Sequence, residues 1–149
     1  MDKILILAGG YSNEREISLI TAKSVIHELK KNKKYKLLLI EPDGSFVKKL
    51  RKFKPNLVLN LLHGRYGEDG YIQSILESEK VKYSHSGVLS SSLAIDKEIS
   101  KKIFIENDIL TPPYIKFSFK NNFNIKSITN KIDKNLKFPV VLKPINEGS

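Results

Sequence analysis

Between Leu62 and Gln73 the chain reads LHGRYGEDGYIQ, a histidine, an arginine and adjacent carboxylates set among Gly64, Gly67 and Gly70. Glycines at this spacing let the backbone approach a ligand or take positive φ, so the segment reads as a ligand-binding loop rather than a packing segment. Bland roles are available to the same residues: His63 could bond a loop carbonyl, and Asp69 has the position of a helix N-cap. A second charged cluster, Glu14-Arg15-Glu16, follows an early Gly9-Gly10 pair. At a helix start both glutamates would also favour the macrodipole, by ~0.3–1 kcal/mol each. Lys143 closes the apolar run Pro139-Val140-Val141-Leu142 and is pinned by Pro144. A lysine held in this way suits phosphate oxygens. Lys97 has no such distinction by position among 23 lysines.

These groups need elements to position them. Lys3–Ala8 is a short apolar run ending at Gly9-Gly10, and residues 12–31 carry Leu19, Ala22, Val25, Ile26 and Leu29 at helical spacing. Tyr35–Ile40 reads as a second strand closed by Pro42-Asp43-Gly44, and Phe46–Phe53 as a short basic helix. Leu57–Leu61 is a third strand, Asp69–Glu79 a third helix and Val81–Ser84 a fourth strand. Strands and helices that alternate through short connections predict a small, doubly wound, mostly parallel α/β sheet. In such sheets ligands bind outside the carboxyl ends of the strands, where both charged loops fall. Beyond Ser84 a small-residue segment leads into a helix-like run to about Asn107; Tyr114–Phe119 and Pro139–Lys143 read as strands of a second unit, separated by a polar Asn/Lys-rich tract over 120–135. Two strands cannot bury a core of their own, so the chain is expected to be part of something longer.

Composition excludes several classes. With 40% hydrophobic and 28% charged residues the chain is typical of globular proteins, and no apolar run approaches the ~20 residues of a membrane span. The opening MDKILILAGG starts directly with a strand-like run, so no leader is expected. Without cysteine there is no disulfide, thiolate metal site or cysteine nucleophile. The net charge of +10 comes almost wholly from scattered lysines, with Arg15, Arg51 and Arg65 the only arginines. Nucleic-acid readers usually cluster arginine with stacking aromatics, so neither nucleic acid nor membrane is expected as partner; a positive field does favour an anionic ligand such as a nucleotide.

Four blocks in order, LAGGYSNEREISL, LHGRYGEDGYIQSILE, YSHSGVLSSSLAIDK and FPVVLKPINEGS, resemble the D-alanine–D-alanine ligases of the ATP-grasp superfamily. The resemblance implies a Rossmann-like pre-ATP-grasp domain over residues 1–95 and the beginning of an ATP-grasp domain over 96–149. It implies a cytoplasmic, ATP-dependent ligation of two D-alanines through an acyl phosphate, supplying peptidoglycan precursor for cell-wall growth and cell shape. It assigns Glu14 to the ammonium group of the first D-alanine, since an amino acid's only cation needs an acceptor, and leaves Arg15 and Glu16 structural. It puts His63 near the substrate, gives Lys97 and Lys143 to ATP, and gives Ser149 a catalytic place beside the substrate-site glutamate. Magnesium belongs to the reaction, but the resemblance places its ligands, the oxyanion arginine and the adenine pocket outside these residues. This chain alone is therefore expected to be inactive. Family members commonly dimerise through the N-terminal domain. Two alternatives share much of this pattern: an ATP-grasp ligase with another second substrate such as D-lactate, and a non-enzymatic nucleotide-binding α/β module. Against the second, Gly9-Gly10 lacks the third glycine of a GxGxxG fingerprint.

Overall fold

The computed structural model of the chain describes residues 1–118 and 124–147. Its centre is a parallel sheet in the order β2-β1-β3, from β1 (Asp2–Leu7), β2 (Tyr35–Ile40) and β3 (Leu57–Asn60). Ile4 is in register with Leu37 of β2 and Leu57 of β3, so β1 is hydrogen-bonded on both sides. A central strand covered on both faces must be apolar throughout, and Leu5, Ile6, Leu7 and Ala8 are wholly buried.

The alternation of β1 divides the core. Ile4, Ile6 and Ala8 pack with Ala22, Leu19, Ile26 and Leu29 of α1 (Arg15–Leu29) on one face. Leu5 and Leu7 meet Phe46 and Leu50 of α2 (Phe46–Phe53), and Ile72 and Leu76 of α3 (Tyr71–Ser78), on the other. This is the doubly wound α/β arrangement expected from the sequence. Further along, α4 (Val88–Ala94), α5 (Lys97–Glu106) and α6 (Ile125–Asn135) follow. The Asp96 carboxylate caps α5 by accepting from the amides of Glu98 and Ile99. Among the described residues no helix is long and apolar enough to cross a membrane.

Several expectations need correction. Val81–Ser84 is not a full strand: among the described residues only the Val58–Tyr83 bridge forms, parallel to β3. Residues 114–118 and 139–143 are irregular, with Val141 and Leu142 largely exposed. A strand persists only when its amides and carbonyls find a ladder partner, and two short segments rarely suffice. Helix α3 begins at Tyr71, with Gly70 as N-cap at φ +92, rather than at Asp69. The Asp69 carboxylate instead bridges the turn, accepting from the amides of Tyr66 and Tyr71 at 2.8 and 3.1 Å. The polar tract contains α6, capped by Asn124.

Tyr83 ties the end of the sheet to α3 through a 2.6 Å hydrogen bond from its hydroxyl to Glu77 Oε1. Partial desolvation, then that carboxylate, push the phenol up to about 12. A folded value above the unfolded one, near 10, means that stability is intact below pH 10 and lost as pH rises from there toward 12. Spectrophotometric titration should show one tyrosine ionising late, in step with loss of structure, and Tyr83→Phe should remove that component.

Candidate functional site

The site lies at the carboxyl ends of β1 and β3, where the loop before α1 meets the loop before α3. Buried Ser18, on the inward face of α1, joins the two: its hydroxyl donates to the Leu61 carbonyl at 2.6 Å and accepts from the Gly9 amide at 2.8 Å. Ser12 adds a second tie, donating to the His63 carbonyl at 2.7 Å. Glu14 and His63, far apart in sequence, are thereby set on facing loops.

Glu14 is the N-cap residue of α1, yet its side chain makes no capping bond. Half-buried, its carboxylate has no hydrogen-bond or ion-pair partner among the described residues. It stands over Gly64, whose φ is +67; a β-carbon there would lie 3.5 Å from Glu14 Oε1. The loop thus presents an unpaired anion above bare backbone, near the positive end of a helix. His63 Nε2 is 3.3 Å from Thr21 Oγ1, and Nδ1 is 3.9 Å from Glu68 Oε1. Because the Thr21 hydroxyl already donates to the Ile17 carbonyl, Nε2 is the donor in the first contact. Glu68 accepts from the Gly64 amide at 2.7 Å, which fixes the turn below Glu14.

A buried polar core holds the second loop in place. The Gly67 carbonyl accepts from both Asn60 Nδ2 at 2.8 Å and Gln73 Nε2 at 2.9 Å, while Asn60 Oδ1 takes the Leu62 amide at 3.2 Å. A cleft opens between the loops, with Gly10, Tyr11, Leu62, His63 and Tyr66 on its walls.

Arg15 and Glu16 are tied into a small ion-pair cluster. Arg15 forks onto Glu41 at the end of β2, Nε to Oε1 at 2.6 Å and Nη2 to Oε2 at 2.9 Å, and Nη1 reaches Glu16 at 2.8 Å. The Arg15 guanidinium holds the Glu41 carboxyl below the usual carboxylate range.

The lysines form a separate group. Lys97 opens α5; its amide bonds the Ile145 carbonyl at 3.0 Å and its ammonium bonds the Glu147 carbonyl. Lys143 is exposed on the segment leading to those carbonyls. No hydrogen bond or ion pair among the described residues joins either lysine to Glu14 or His63. Ser149 lies outside the described residues. Sequence reasoning missed Ser18, Asn60, Gln73 and the Arg15–Glu41 fork. Only Ser18 left a signal, as a hydroxyl four residues before Ala22 on the apolar face of α1.

The match to known proteins runs along the whole chain. Residues 3–56 fit the family model described as D-ala D-ala ligase N-terminus. A D-alanine–D-alanine ligase of Pelagibacter ubique is 62% identical over 147 residues, covering 99% of this chain and 47% of the relative. The crystal structure of the Bacillus anthracis D-alanine–D-alanine ligase complexed with ATP superposes with a TM-score of 0.74 at 34% identity, over 99% of this chain and 48% of that one. The VanG D-Ala:D-Ser ligase of Enterococcus faecalis gives a TM-score of 0.66 at 26% identity, over 99% of this chain and 53% of that one. The chain spans about half the length of the curated relatives it matches. In sequence and in fold the chain is similar, over 99% of its length, to D-alanine–D-alanine ligases.

Proposed function

We propose that these residues supply the first-substrate end of an ATP-dependent ligase that joins two D-alanines, serving peptidoglycan precursor synthesis in the cytoplasm. The observation that carries this reading is the unpaired Glu14 carboxylate over Gly64, a seat for the ammonium of one amino acid. His63 stands beside that seat on the facing loop, within reach of the same substrate. In the reaction, a carboxylate oxygen of the first D-alanine attacks the γ-phosphorus and the bond to ADP breaks. The amine of the second D-alanine then attacks the carbonyl carbon, phosphate leaves, and the amine sheds its extra proton. The protein contributes mainly position and charge.

Lys97 and Lys143 are the proposed contacts to ATP phosphates. The bonds from Lys97 to the 145–147 segment favour this, because they keep the two lysines on neighbouring stretches of chain. Ser149 is proposed to join the Glu14 site, with a domain boundary near residue 95 and pairing of two copies through residues 1–95. Magnesium belongs to the proposed reaction. The described residues offer no group of three or more histidine, aspartate or glutamate side chains to hold it, so no step is assigned to it here. The 149 residues alone are proposed to be inactive.

A second reading keeps the first substrate and changes the second. Relatives named D-alanine–D-alanine ligase, at 62% and 45% identity, favour the first reading over it; the likeness behind the second is the D-Ala:D-Ser ligase at 26% identity. In the full-length protein, D-alanine should drive ADP formation with ATP and magnesium, and L-alanine should not. Faster turnover with D-serine or D-lactate as acceptor than with D-alanine would replace the first reading by the second. No amino-acid-dependent ADP formation would remove both.

A further inference from the structure

The charge arrangement around Glu14 carries a consequence beyond its own contacts. Arg15 is the next residue in sequence, and a free guanidinium there could fold back onto Glu14. It does not, because all of its bonds to described residues go to Glu41 and Glu16. Glu41 also accepts from the Gly10 amide at 3.1 Å, and it packs so closely over Gly9 that a β-carbon there would fall 2.6 Å from Glu41 Cδ. Gly9 and Gly10 both have positive φ, +83 and +86, so the loop is shaped around this one carboxylate. Glu16 is a weaker competitor, its side chain 78% exposed. A fork onto one carboxylate fixes direction as well as charge, which a single contact does not.

We propose that Glu41 is a positioning residue for substrate binding: it sequesters the Arg15 guanidinium so that the neighbouring Glu14 carboxylate stays open for an incoming ammonium group. This rests on the reading of Glu14 given above, but its first test does not. Glu41→Gln keeps the shape and an acceptor for Gly10 while removing the charge that holds Arg15. The released guanidinium then turns to Glu14, the half-buried anion beside it.

In the 149-residue chain, the Glu14 side-chain carboxyl carbon resonance at neutral pH should move in Glu41→Gln and return in the double variant Glu41→Gln/Arg15→Gln. In the full-length protein, Glu41→Gln should raise the KM for the first D-alanine about tenfold with kcat nearly unchanged. The double variant should recover most of that loss. Melting temperatures should differ little, since the pair is substantially exposed. A merely structural role predicts the opposite ordering, with the double variant no better than the single one. An unmoved Glu14 resonance in Glu41→Gln, or absence of recovery in the double variant, overturns the proposal. If the resonance behaves as expected but Glu14→Gln leaves the KM unaltered, the ammonium reading fails and the sequestering of Arg15 stands.

Discussion

Glu14→Gln in the full-length protein should raise the KM for the first D-alanine roughly 30- to 1,000-fold while kcat changes little. Glutamine retains the size of the side chain but loses the charge. Losing one member of a desolvated ion pair costs about 2–4 kcal/mol, and each 1.4 kcal/mol is about tenfold in affinity. The ammonium of the first substrate is remote from its reacting carboxylate, so the contact is made equally in ground and transition states, and its loss appears in KM. The carboxylate makes no hydrogen bond or ion pair among the described residues, so the fold should tolerate the change. Steady-state kinetics over a wide range of D-alanine, with a melting curve as control, measures this. A drop in kcat at unchanged KM would move Glu14 from binding to another role.

The largest effect on stability is expected at Gly67. A β-carbon there would lie 2.4 Å from Leu62 Cβ and 3.0 Å from the Leu62 carbonyl carbon, neither of which can yield without moving backbone. Leu62 is buried in the core, and the Gly67 carbonyl is where Asn60 and Gln73 converge. Displacing that carbonyl would leave buried amides without an acceptor. Gly67→Ala should therefore destabilise the chain by about 3 kcal/mol, lowering the melting temperature by roughly 10 °C. Gly44→Ala, where nothing lies within 4 Å, should change it little. Similar melting temperatures for the two variants would mean that the 62–70 turn is looser than its contacts indicate.

The sheet was legible because its strands obey a simple constraint: a central parallel strand must be apolar along its length, and Lys3–Ala8 is. The α1 stripe was legible for a similar reason, its inward residues recurring at helical spacing. What escaped depends on partners rather than on local pattern. Residues 139–143 look like a strand, but no ladder forms on them among the described residues, and apolar composition cannot reveal whether a partner is present. The 120–135 tract hid its helix for the opposite reason. Its asparagines and lysines obscured Ile125, Ile128 and Ile132, which recur at intervals that a helix places on one side.

The site divides in the same way. Glycine spacing marked the 62–73 loop, and the position of Glu14 after a strand-end loop marked the other. Two glycines prove to be there for close contact, Gly67 against Leu62 and Gly9 beneath Glu41, whereas Gly64 serves the turn through its positive φ. The Arg15–Glu41 fork could not be foreseen, because it joins residues 26 positions apart whose meeting depends on strand order. Lys97 was distinguishable only by resemblance, as one lysine among many.

The ammonium seat at Glu14 is tested most directly by a crystal structure of the full-length protein with D-alanine and a non-hydrolysable ATP analogue. The account predicts the amino nitrogen of the first D-alanine about 2.7–3.2 Å from the Glu14 carboxylate, above Gly64 and beside His63. A first D-alanine bound with its amino group directed away from Glu14, onto another acceptor, would contradict it.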